Sequence, residues 1–254
     1  MPAELTLSYS TLFGFLLVFA RIAGAFTFVP LPGLTRGPAV SRIAVSLAVT
    51  IALFPLWPQA AMPAGIGDFA VWTAAEAAFG ITAGVAVGFL LEILAVGFQA
   101  LGLQAGFSYA STIDPNTQAD SSVLLILAQL MSGWLFFAFG MDRQVVRIFA
   151  RSLAAHPPGQ FAVSGAAAEA LIDLGAGMLA TGLRLALPVI VLLLLVDFAL
   201  ALLGRMHQQM QLLSLAFPAK MIAALALLAG VLAVFIPVWR AAAERTLAVL
   251  GRVL

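Results

Sequence analysis

Gln104-Ala105-Gly106-Phe107-Ser108-Tyr109-Ala110-Ser111-Thr112-Ile113-Asp114-Pro115-Asn116-Thr117-Gln118-Ala119-Asp120-Ser121-Ser122 is a polar break, punctuated by glycine and proline, between two long apolar runs. Backbone that leaves helix at bilayer depth exposes N–H and C=O groups where there is no water to bind them. It must then be buried in protein or line a cavity. The plainer reading of the same residues is an aqueous loop between two spans.

The rest of the chain makes the membrane setting firm. Of 254 residues, 63% are hydrophobic and 9% charged, and the mean hydropathy is +1.10, far from soluble globular domains. The composition implies an all-α, polytopic integral membrane protein, a single integral domain over residues 1–254 with no soluble catalytic module. A net charge of +1 gives no footprint for nucleic acid. With no cysteine and two histidines far apart in sequence, neither disulfides nor a thiolate or histidine-rich metal site is expected. Met-Pro-Ala-Glu at the start lacks the basic region of a signal peptide, so the first apolar run is expected to stay as a span.

Runs long enough for about 30 Å of hydrocarbon lie at roughly Leu7 to Val29, Ser41 to Trp57, Phe69 to Gly102, Val123 to Phe139, Leu171 to Leu203 and Met221 to Val238. The third and fifth exceed the usual length of about 20 residues and imply tilt, kinks or ends that project from the bilayer. Pro30-Leu31-Pro32-Gly33, Pro55, Pro58, Pro63 and His156-Pro157-Pro158-Gly159 mark turns. Pro188 inside the fifth run is expected to kink it. Six spans conflict with the positive-inside rule: Arg36, Arg42, Arg205 and Lys220 fall on one side, and Arg143, Arg147, Arg151, Arg240, Arg245 and Arg252 on the other.

Arg21, Glu76, Glu92, Arg184 and Asp197 interrupt the apolar runs. Each costs about 2.5–3.5 kcal/mol at a helix centre, which a Leu-rich run can absorb, but none can face lipid in the mature protein. They are read either as buried pairs between helices or as groups lining a transport path. Arg184 and Asp197 sit about 220° apart round one helix, so each needs a partner elsewhere. Gly80, Gly84 and Gly88 form a small-xxx-small row that admits a neighbouring helix, of this chain or another. A leucine at Gly84 is expected to block assembly by overpacking rather than to unfold the chain. Glu76 and Glu92 continue the spacing but end about 160° apart, so they are not a catalytic pair. Arg143, Arg147 and Arg151 form a basic stripe backed by Val146, Phe149 and Leu153, read as a solvated or headgroup-facing helix. No nucleophile with a base, phosphate loop or dinucleotide fingerprint is present, so neither an enzymatic role nor a cofactor is expected.

A second polar break runs from Gly204 to Lys220, containing Arg205, Gln208, Gln209, Gln211, Phe217, Pro218 and Lys220. In order along the chain, Phe19-Ala20-Arg21-Ile22-Ala23-Gly24, Gln104-Ala105-Gly106-Phe107-Ser108, Ile113-Asp114-Pro115, Pro157-Pro158-Gly159, Ala186-Leu187-Pro188-Val189-Ile190 and Phe217-Pro218-Ala219-Lys220 resemble the FliR family. These are export-gate subunits of bacterial type III secretion, flagellar or injectisome. No one motif is specific, but the ordered set is, and it covers almost the whole chain.

The resemblance implies a FliP-like part over about residues 1–170 and a FliQ-like helical hairpin over about 171–254. It implies assembly with FliP-like and FliQ-like subunits, beside FlhA-like and FlhB-like components, into a closed gate for unfolded secreted proteins. The location implied is the bacterial inner membrane and the flagellar basal body. Such a gate sits partly above the membrane plane, which would account for the charge conflict. The family's pore plug corresponds to Ala105, Gly106, Phe107, Ser108, Tyr109, Ala110, Ser111, Thr112, Ile113, Asp114 and Pro115. Ala105 stands where the family commonly has methionine, Gln208 where it often has proline, and Gln211 where asparagine is common. Phe107, Tyr109 and Ile113 would then supply the sealing bulk that a flexible thioether gives elsewhere. The alternative is a secondary transporter for a small solute, its two breaks being discontinuous helices and Glu92, Asp197 and Arg184 its coupling charges.

Overall fold

The computed structural model describes residues 9–29, 39–57, 63–107, 123–159, 165–206 and 212–253. Among them the regular structure is entirely helical: α1 Tyr9–Phe28, α2 Ala39–Ala52, a 3-10 turn Phe54–Leu56, α3 Ile66–Ala105, α4 Val123–Ala138, α5 Met141–Ala155, α6 Gly165–Met206 and α7 Leu212–Val253. The protein is thus an all-α polytopic membrane protein.

Among the described residues four helices are long and apolar enough to cross a membrane, or five if α4 and α5 form one span bent by 64°. That corrects the count of six. The second run gives only the 14-residue α2, about 21 Å at helical rise and short of the hydrocarbon thickness. It passes straight into the turn containing Pro55. The fourth run ends at Gly140, whose φ of 64° lies in the left-handed region that glycine adopts without strain. Three helices are longer than the hydrophobic runs that suggested them, α7 by far the most: α3 has 40 residues, α6 and α7 42 each. Helix assignment continues through Pro188 in α6 and through Pro218 and Pro237 in α7.

The chain divides into two compact units. In the first, residues 1–89, 136–175 and 243–254, α1 packs on α2, and the core holds Leu17, Val18, Ile22, Phe79, Phe149 and Leu153. Close approach of α1 and the first part of α3 is set by small residues on both helices. A Cβ on Gly24 would stand 2.5 Å from the Ala77 carbonyl oxygen, and Cβ atoms on Gly80 and Gly84 would overlap the carbonyl oxygens of Arg21 and Ala25. The glycine row read from the sequence therefore faces α1 of the same chain.

The second unit, residues 90–135 and 176–242, buries Leu90, Leu94, Phe98, Val189, Phe235 and Trp239. Phe98 and Phe235 meet edge to face at 5.8 Å, and the Trp239 indole donates to the Leu90 carbonyl at 3.0 Å. Here too glycines set the helix spacing. A Cβ on Gly97 would lie 2.8 Å from the Gly182 carbonyl oxygen, and one on Gly182 2.6 Å from that of Ile93.

Candidate functional site

Charges within the apolar helices fall into three environments. The first, in unit one, is fully buried. Arg21 Nε donates to Glu76 Oε2 at 2.5 Å, and neither side chain reaches solvent. Nη1 donates to the Ser152 carbonyl and to Ser152 Oγ, both at 3.1 Å, and Nη2 to the His156 carbonyl at 2.9 Å. The guanidinium stands 4.3 Å from the centre of the Phe79 ring. Glu76 Oε1 accepts the Gly159 N–H at 2.9 Å, at a residue whose φ of 91° glycine permits. This arrangement satisfies the desolvated charges from α1, α3, α5 and the turn that follows it. It pins these segments together, with both charged side chains fully buried.

The second environment lies in unit two at the C-terminal end of α3. Lys220 Nζ donates to Asp197 Oδ2 at 2.7 Å, and Gln104 Nε2 reaches the same oxygen at 3.0 Å. Asp197 thus ties α6, α7 and the last turn of α3 together. Immediately beyond Gln104 the helix is closed in a Schellman pattern: the Gly106 N–H returns to Leu103 and the Phe107 N–H to Gly102, at 3.2 and 3.0 Å. The φ of Gly106, 84°, belongs to the left-handed region. Ala105 is fully buried and Phe107 half-buried. A lysine–aspartate–glutamine cluster therefore holds the last turn of α3 just before this cap.

In the third environment, also in unit two, Glu92 on α3 and Arg184 on α6 are exposed amid apolar sequence. Among the described residues neither is in an ion pair.

A model of the bacterial export proteins, family 1, matches residues 12–246. The chain belongs to this family, that of FliR. The flagellar biosynthetic protein FliR of Escherichia coli is 26% identical over 85% of this chain and 83% of its own length. FliR of Caulobacter vibrioides is 24% identical over 88% and 90%, and that of Buchnera aphidicola 24% over 62% of each.

Of the residues singled out from the sequence of this FliR-family protein, the structure brings Arg21 to Glu76, and Asp197 to Lys220 and Gln104. Glu92 and Arg184 stay apart from these pairs. Phe217, Pro218 and Lys220, read as part of a polar loop, lie inside α7, within its first three turns. Arg205 ends α6. Gln208, Gln209, Gln211 and the segment Ser108 to Pro115 lie outside the described residues. Ser152, His156 and Gly159 were not foreseen as partners of Arg21 and Glu76. Pro157-Pro158-Gly159 stood out only as a turn, and nothing local could reveal that its N–H caps a carboxylate 83 residues away.

Proposed function

We propose that this export protein is a non-enzymatic subunit of the flagellar type III export gate in the bacterial inner membrane and flagellar basal body. It would assemble with FliP-like and FliQ-like subunits beside FlhA-like and FlhB-like components. Its FliP-like part and FliQ-like hairpin would help frame a pore for unfolded secreted proteins, and Ala105 to Pro115 would close that pore.

The observation that carries assembly is the exposure of Glu92 and Arg184. A charge left facing hydrocarbon costs about 2.5–3.5 kcal/mol, so these two must meet another subunit or a wet path. Long exposed apolar rows on α6, among them Leu179, Leu183, Leu187 and Val191, leave ample surface for subunits or lipid. The sign of a substitution separates the cases. If Glu92 and Arg184 faced lipid, Glu92→Leu and Arg184→Leu would raise the amount of inserted chain. In an assembled gate each would strand a charge on its partner, and recovery of the complex by affinity purification should fall about tenfold or more. Unchanged or improved recovery would remove this support.

Closure is tested by deleting Ser108 to Thr112. The Gly106 cap and the Asp197 cluster lie outside the deletion, so the complex should still assemble, yet membranes carrying it should conduct small ions and export should be impaired or deregulated. An assembled deletion complex in an ion-tight membrane would reduce the segment to a connecting loop.

A further inference from the structure

Arg143, Arg147, Arg151 and Arg252 line one cavity of about 660 Å³ between α5 and the C-terminal turns of α7, within the first unit. We propose that this cavity holds the phosphate headgroup of an anionic phospholipid. The four-residue spacing puts the three α5 arginines on one face, and among the described residues none of the four lining arginines has an ion-pair partner. Four guanidinium groups around one space repel one another unless an anion sits among them. Their planar forks match phosphate oxygens two at a time. Among the described residues Glu244 is the one carboxylate in the lining, and it is engaged within the chain, so the balance of the cavity stays positive.

Two further features select a lipid over an acidic protein segment. Ile148, Leu247 and Ala248 line the same cavity, so the cationic rim adjoins an apolar wall suited to the start of an acyl chain. The position in the helices agrees. The bend of 64° turns amphipathic α5 away from apolar α4, while α7 qualifies as a spanning helix and brings Arg252 to the cavity from its last turn. An amphipathic helix beside the end of a span belongs at headgroup depth, where basic pockets collect anionic lipids. This site lies in one unit and does not rest on the gate reading.

The test uses the full-length chain, with whatever co-purifies, in phosphatidylcholine nanodiscs doped with phosphatidylglycerol, and counts retained lipid by native mass spectrometry. The arginines are exposed and, among the described residues, unpaired, so their loss should leave the fold intact. Replacing Arg143, Arg147 and Arg151 together by glutamine should lower phosphatidylglycerol retention about a hundredfold. Arg245→Gln, on α7 but outside the lining, should change it by less than about fivefold. Arg147→Lys keeps the charge and loses the fork, so it should also weaken retention. Equal losses for Arg245→Gln and the triple variant, or no effect of Arg147→Lys, would mean general charge attraction and overturn the proposal. So would displacement of the lipid by millimolar inorganic phosphate, which would assign the arginines to a free anion, or capture of an acidic peptide in its place.

Discussion

Arg21→Met is expected to cost the fold about 3–5 kcal/mol and to leave little chain in the membrane, because it strands the Glu76 carboxylate with no counter-charge in a site that excludes water. Glu76→Gln should do nearly as much from the other side, leaving a guanidinium whose remaining acceptors are neutral oxygens of Ser152 and the His156 carbonyl. Replacing both together by Met and Leu should harm less than the two single losses combined, since a buried pair removed whole leaves no orphan charge. Abundance and protease resistance in isolated membranes measure this. Normal levels of either single variant would show that the pin is dispensable.

Gly80→Leu and Gly84→Leu should be comparably severe. Added side chains there meet carbonyl oxygens of α1, which cannot turn aside as a flexible side chain can, so α1 and α3 must separate. The expectation from sequence, that a leucine at Gly84 would spare the chain and block only assembly, therefore changes its target. Damage should already appear in chain expressed without partners, as lost protease resistance. Gly230→Leu, where a side chain meets open space, is the control and should be tolerated in the same assay. A stable Gly80→Leu chain that merely fails to assemble would restore the original expectation.

Hydropathy made the helical class and the membrane setting legible, because the length and polarity of a run are local properties. It overcounted spans where apolar sequence did not mean enough helix, as in α2 before Pro55. It undercounted helix at Phe217 to Lys220, where proline and polar residues masked the opening turns of α7. Arg21 and Glu76 were visible as misplaced charges, but a pair separated by 55 residues is a fact of packing, as is the choice of α1 as the partner of the glycine row. The polar break was legible from its glycine and proline, but the left-handed cap that Gly106 makes at its start comes from the structure. So does the Asp197–Lys220–Gln104 cluster just before it, since its members come from three helices.

Affinity purification of the tagged full-length chain from native membranes tests the central claim most directly. A gate subunit should come out bound to FliP-like and FliQ-like proteins in one stable complex, and that complex should be lost when those genes are absent. A chain that purifies alone as a stable monomer or small homo-oligomer, and binds a small solute, would contradict the account and favour a transporter.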